Sequence, residues 1–309
     1  MRTKRLGREG PEISVIGFGT WEAGGGWGSG YTDDEIVAAM RTGLDNGINW
    51  IDTAEVYGDG RSEELVAEAI KGRDDVYVFT KVIEGRSGVD RDGVRAGAEG
   101  SLKRLGRDVI DLYQVHWPPR RVKIEETWEA MAALVDDGLV RWIGVSNFSR
   151  ELIERCEKIR HVDSLQPHFS LLNQRGRGDL FPDLEANGTG VIGYGPLTYG
   201  LLTGTITAET TFDQNDWRSG SQGIGYYNEY FAPGVREKHL AKVEQLKKVA
   251  ERLDITLPQL ALAWVVHQNG VTGAIAGSRS TKHVTENTQA GDVELSQDAL
   301  DEIDGIVAG

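Results

Sequence analysis

Asn49-Trp50-Ile51-Asp52, Val76-Tyr77-Val78-Phe79-Thr80-Lys81 and Ile110-Asp111-Leu112-Tyr113-Gln114-Val115-His116 are three apolar runs, each closing on a polar residue suited to proton chemistry. Tyr57 follows five residues after Asp52. An Asp, a Tyr, a Lys and a His therefore sit at or just beyond the ends of three successive strand-like segments. In a parallel α/β barrel the strand ends converge on one face, which carries the chemistry. The pattern reads as an enzyme.

Working outward, short apolar runs recur at 15–19, 142–145, 164–166, 191–194 and 273–276, making eight candidate strands with 49–52, 76–81 and 110–116. Helical patterns alternate with them, which indicates βα units and a parallel sheet. A hairpin is expected first, from extended segments at 3–6 and 12–15 around Gly7 and Gly10-Pro11. Thr32-Asp33-Asp34-Glu35 reads as a capping box, Thr127 as a weaker helix start and Ser149 as another, while Asn46-Gly47 and Asp137-Gly138 read as stops. Residues 205–233 break the rhythm: they are rich in Gly, Thr, Asn and Asp and carry Tyr226, Tyr227, Tyr230 and Phe231. A long aromatic loop after a late strand is more often functional than idle. Two helical patterns follow at 236–253 and 258–268, and a final one at 296–307. No repeat or linker interrupts the chain, so residues 1–309 are expected to form one domain.

Composition removes several classes. A formal charge of -14 opposes nucleic-acid binding, which needs a basic footprint. The single cysteine, Cys156, excludes an intrachain disulfide and a thiolate metal cluster. No segment is apolar for long enough to span a membrane, and the basic N-terminus has no apolar stretch behind it. A cytoplasmic protein, monomeric or a weak homo-oligomer, without membrane or nucleic-acid partners, is the expectation.

Several further stretches carry a resemblance when read in order. They are Gly17-Phe18-Gly19-Thr20-Trp21, the segment Gly47 to Gly58 containing Asp52-Thr53-Ala54-Glu55-Val56-Tyr57, and Leu112-Tyr113-Gln114-Val115-His116-Trp117-Pro118. Gly144-Val145-Ser146-Asn147-Phe148, Gln166-Pro167-His168-Phe169, Tyr194-Gly195-Pro196-Leu197, Gly277-Ser278-Arg279 and Glu286-Asn287 follow. Each is weak alone. Together, spread over the whole chain, they resemble the aldo-keto reductases. The resemblance implies a (β/α)8 TIM barrel with an N-terminal β-hairpin and two extra helices. It also implies a carbonyl reductase using NADP, with NAD as a second cofactor.

The residues carry a chemical argument beside this. Hydride reduction of a carbonyl leaves an alkoxide that needs a proton. Tyr57 is the candidate acid, since a phenol with a pKa of about 10 is protonated at neutral pH. A nearby cation, Lys81, lowers the cost of tyrosinate, and Asp52 holds that cation charged. His116 can donate a hydrogen bond to the carbonyl oxygen. Taken singly, Asp52 reads as a helix cap, Tyr57 as a loop aromatic, Lys81 as a solvated strand end and His116 as a core histidine; at barrel strand ends the four together favour function.

Gly24-Gly25-Gly26-Trp27-Gly28 opens no Rossmann unit, so the dinucleotide must be held otherwise. Gly19, Thr20 and Trp21 lie in the opening turn that resembles the family's. Ser146, Asn147 and Gln166 offer polar groups for the nicotinamide carboxamide, and Tyr194 a flat face for its ring; Ser146-Asn147 also reads as a mere cap for the next helix. Gly195, Pro196, Leu197, Gly200 and Leu202 are placed along the pyrophosphate. Gly277, Ser278 and Arg279 precede a helix and suit a phosphate, which the resemblance makes the adenosine 2'-phosphate, with His283 near it and Glu286 and Asn287 on the adenine. Arg279 taken alone reads as a surface cation. Gly277 stands where many members carry lysine and His283 where many carry arginine or glutamine; both weaken the NADP grip and leave room for NAD. Gly195 replaces a common serine.

Trp21, Trp27 and Trp117, with Phe148 and the 205–233 loop, are the expected walls of a substrate pocket for apolar, aromatic or sugar-like carbonyl compounds, with Tyr57 and His116 at its floor. Trp21 and Trp27 read equally well as loop anchors. Two other functions fit the same residues: a cofactor-binding regulatory subunit that keeps the reductase fold, and a sugar dehydrogenase or epimerase.

Overall fold

The computed structural model describes residues 1–28 and 30–309. A hairpin of β1 (Thr3–Arg5) and β2 (Glu12–Ser14) pairs antiparallel. It leads into β3 (Ile16–Gly19), β4 (Trp50–Asp52), β5 (Tyr77–Val82), β6 (Ile110–Val115), β7 (Val140–Ser146), β8 (Ser164–Gln166), β9 (Gly190–Tyr194) and β10 (Val271–Ile275), which close as an eight-stranded parallel barrel in chain order. All eight expected strands are there, each within two residues of its expected bounds.

Alternation explains what the strands present. Ile51 packs outward among Ile36, Val37, Leu65 and Val66. Its neighbour Trp50 points inward with Phe79, Leu112 and Ile192, and Leu6 and Ile13 of the hairpin close this inner layer. Trp50 donates from its indole to the Ser14 carbonyl at 2.8 Å. One two-residue step up each strand, the inward positions turn polar: Asp52 above Trp50, Lys81 above Phe79, Gln114 above Leu112. Register sets them side by side, since Lys81 pairs with Gln114 and Ser146 with Gln166. The barrel thus has an apolar bottom and a polar top.

The outer layer comprises α1 (Asp33–Asp45), α2 (Arg61–Ala69), α3 (Arg91–Leu105), α4 (Ile124–Asp136), α5 (Arg150–Glu157), α6 (Leu180–Asn187), α7 (Val235–Arg252), α8 (Leu257–Val266), α9 (Thr281–Gln289) and α10 (Gln297–Ala308). Thr32 forms the capping box with Glu35, and Ser149 accepts from the Leu152 amide; such caps contribute about 1 kcal/mol. Thr127 departs from expectation. The fourth helix already starts at Ile124, and the buried Thr127 hydroxyl donates to the Val89 carbonyl at 2.6 Å. Two helices, α7 and α8, separate β9 from β10, and α10 is additional. Residues 205–233 contain a short turn at Trp217–Ser219 and a wide one at Tyr227–Phe231 rather than bare loop. Their aromatics pack with Trp27, Tyr199 and Leu201 into a satellite core above the barrel. Among the described residues no helix is long and apolar enough to cross a membrane.

Candidate active site

Lys81 is fully buried, and its ammonium donates to Asp52 Oδ1 at 2.6 Å and to the Thr53 carbonyl at 2.7 Å. Gln166 donates to the other Asp52 oxygen at 2.8 Å. Burial alone would discharge both partners. It raises Asp52 from the carboxylate range and lowers Lys81 from the amine range, and their mutual contact opposes this. The ion pair lies beneath Tyr57, with the ammonium 5.3 Å from its ring centroid. No hydrogen bond joins Lys81 to the phenol. Burial first, then the charge of Asp52, hold Tyr57 well above its ordinary value. The expected lowering by Lys81 is absent because Asp52 cancels the cation at contact distance. The phenol is protonated throughout the neutral range.

His116 meets Tyr57 edge-on with 5.6 Å between centroids. Burial, and then Lys81, push its pKa well below the ordinary 6.5, so the ring is neutral. Its Nδ1 is buried without a partner. A proton there would find no acceptor, so the lone pair belongs on Nδ1 and the proton on Nε2. Asn147, in a left-handed conformation at φ 64°, ties the neighbours together. Its amide donates to the His116 carbonyl at 3.1 Å and to Ser146 Oγ at 3.0 Å, and it accepts from Tyr194 Oη at 2.8 Å. Ser146 in turn donates to the Gln166 carbonyl and caps no helix. One face of Tyr194 stacks on His168 at 5.2 Å and 16°. That stack explains Gly195: a Cβ there would come within 2.8 Å of the His168 ring, and the residue has φ 66°.

Asp52, Tyr57 and His116 open into a cavity of about 860 Å³ that runs across the top of the barrel to the turn after β10. This is within the ~300–1,000 Å³ typical of small-molecule sites. An ion-paired lysine under a protonated tyrosine, a neutral histidine beside it, and a long cleft ending at a helix N-terminus form one constellation.

The family model for the Aldo/keto reductase family matches residues 15–308. The chain belongs to this family. It is 38% identical over 280 residues to aldo-keto reductase YhdN of Bacillus subtilis, covering 87% of this chain and 82% of that protein. It is 33% identical to the NADH-specific methylglyoxal reductase of Escherichia coli, covering 96% and 95%. A solved aldo-keto reductase from Klebsiella pneumoniae in complex with NADPH superposes with a TM-score of 0.76 at 30% identity, covering 99% and 95%.

In this aldo-keto reductase most of the expected contact residues share the cavity wall: Gly19, Thr20, Trp21, Ser146, Asn147, Gln166, Tyr194, Gly195, Pro196, Leu197 and Gly200 toward the barrel, and Gly277, Ser278, Arg279, His283, Glu286 and Asn287 at the far end. Trp27 and Trp117 also line it. Two expectations are corrected. Phe148 is buried in the main core and is removed from the substrate wall. Leu202 likewise packs in the core, leaving Gly200 as the wall residue of that turn. Lys81 lies behind the wall, out of the cavity. Gly277 is a packing requirement as well as a departure: a Cβ there would lie 2.4 Å from the Gly19 carbonyl oxygen.

Glu22, Tyr31, Tyr199, Arg218 and Tyr226 line the cavity without having been singled out as contacts. Tyr226 comes from the 205–233 segment, and its hydroxyl meets Tyr194 Oη at 2.7 Å. The aromatic density of that segment was a signal for Tyr226. For Glu22 no sequence signal existed, because its partner Arg279 lies on a distant loop.

Proposed function

We propose that this chain is an NADP(H)-dependent reductase of aldehydes and ketones in which Tyr57 is the general acid. The observation that carries the reading is the buried Lys81–Asp52 pair beneath a protonated Tyr57 and a neutral His116, all at one end of a cleft that reaches the turn after β10. Ser146, Asn147, Gln166 and Tyr194 would hold the nicotinamide end, the 195–200 turn the pyrophosphate, and Ser278, Arg279, His283, Glu286 and Asn287 the adenosine end. The bound cofactor would supply the hydride. The His116 Nε2–H donates to the carbonyl oxygen and aligns it. As that oxygen gains the electron pair of the C=O bond, the Tyr57 proton moves to it. The phenolate left behind lies above the Lys81–Asp52 pair and is reprotonated from water. Trp21 and Trp117 wall the substrate end; Trp117 is 45% exposed and suits apolar or sugar-like compounds that reach solvent.

Purified protein mixed with NADPH and a panel of aldehydes should consume the dihydronicotinamide absorbance. Binding of NADPH without turnover on any carbonyl would favour a regulatory role. Because the His116 pKa is displaced downward, kcat/KM for an aldehyde should be flat from about pH 8 to about pH 6. The sign is that a lowered histidine pKa keeps the ring neutral until the pH falls far below 6.5. A limb centred near the ordinary histidine value would show that His116 titrates in the working enzyme.

Arg279→Ala should weaken NADPH by roughly tenfold and NADH by less than about twofold, because only the 2'-phosphate gains a charge-assisted contact. The effect is at the lower end of what such contacts contribute because the guanidinium is already paired with Glu22. Titrating both cofactors decides it; equal losses would remove Arg279 from the phosphate.

A further inference from the structure

Two guanidinium groups stand on the cavity wall, Arg218 and Arg279, and each already faces a carboxylate. The Arg218 pair is local. Asp216 caps the same short turn and takes Arg218 Nε at 3.0 Å and Nη2 at 2.6 Å, while Nη1 donates to the Tyr199 carbonyl at 3.1 Å. All three of its nitrogens are engaged, by Asp216 beside it and by the Tyr199 carbonyl.

Arg279 is held by residues far away in the chain. Its Nε lies 3.4 Å from Glu22 Oε2, in the turn after β3. Its Nη2 donates to the Trp27 carbonyl at 3.1 Å, and the guanidinium lies 4.0 Å from the Tyr31 ring centroid. Glu22, Trp27, Tyr31 and Arg279 all line the cleft. Burial pushes the Glu22 carboxyl above its ordinary range; Arg279, Arg218 and His283 pull it back and Asp216 adds to the rise. Position 277 can supply no second cation while Gly19 packs against it.

We infer that Glu22 is a cofactor-specificity residue: its carboxylate competes with the adenosine 2'-phosphate for Arg279, so that the chain separates NADPH from NADH less sharply than Arg279 alone would. The inference rests on the nucleotide reading above. A phosphate arriving at Arg279 must displace Glu22 or lie beside it as a like charge. NADH, with a free 2'-hydroxyl, leaves the Glu22–Arg279 pair intact. Glu22 therefore taxes one cofactor and not the other.

The test is fluorescence titration of NADPH and NADH, without substrate, into wild type, Glu22→Gln and Glu22→Asp. The tryptophans on the cavity wall report binding. Glu22→Gln keeps the shape and removes the charge; it should tighten NADPH roughly three- to tenfold and alter NADH by less than about twofold. Glu22→Asp, which keeps the charge, should stay near the wild-type ratio. The ratio of the two affinities within one variant cancels any general loosening of the site. An unchanged ratio in Glu22→Gln would overturn the inference. A fall in NADPH preference would overturn it too, since Glu22 would then be aiming Arg279 at the phosphate. A protein that binds NADPH but reduces no carbonyl would sink the proposed activity and leave this inference standing. A wild type that binds neither nucleotide would overturn both.

Discussion

Replacing Tyr57 by phenylalanine will lower aldehyde turnover by ~10²–10⁴-fold, the usual contribution of a positioned general acid, while the NADPH dissociation constant changes little. The phenol is the protonated group that faces the cavity next to His116, and burial together with Asp52 keeps it protonated. His116 cannot replace it, since its pKa is displaced downward and the neutral ring is a poor acid. Steady-state kinetics and cofactor titration on the same preparation separate the two effects. Wild-type turnover in Tyr57→Phe would end its assignment as the acid.

Lys81→Met should cost about 3–5 kcal/mol of stability, the usual consequence of leaving one charge of a buried pair alone. Asp52, 3% exposed, would keep no charged partner and rely on amide donors such as Gln166, and the Thr53 carbonyl would lose its partner. The loss should depend on pH with a definite sign. Burial already raises the Asp52 pKa above its ordinary 3.8, and removing Lys81 raises it further. A raised carboxyl pKa means stability that is present at low pH and lost as the pH rises through the folded-state value. The deficit relative to wild type should therefore be largest at about pH 8 and narrower at about pH 5 in denaturant unfolding. A deficit that does not vary with pH would mean Asp52 is not the group left unpaired. Turnover should fall as well, because an Asp52 charge no longer balanced by Lys81 would disfavour the phenolate formed at Tyr57.

Much of the site was legible because strand chemistry is local. The period of two that buries Trp50, Phe79 and Leu112 also puts Asp52, Lys81 and Gln114 on the same inner face one step higher. Their identity as strand-end residues needs only the alternation and the rule that parallel strands run the same way. Helix starts were legible where a side chain caps its own turn, as at Thr32 and Ser149, and illegible at Thr127, whose hydroxyl bonds across to Val89 on another loop. Phe148 and Leu202 flank motif positions in the chain yet face the core, because a loop residue has no periodicity to declare its side.

By itself the sequence determined the order of strands and helices, the inward polar set at the barrel top, and the family to which the chain belongs. Tertiary structure alone decided the charge states and the long-range partners. Tyr57 is held protonated by burial and by Asp52, with the Lys81 charge balanced by Asp52, and that balance depends on how little water reaches the three groups. Glu22 meets Arg279, and Gly277 meets Gly19, only because barrel closure brings β10 beside β3. Periodicity and capping act within a few residues and can be read along the chain. Desolvation and loop-to-loop contact depend on where distant segments end up, and no local pattern records that.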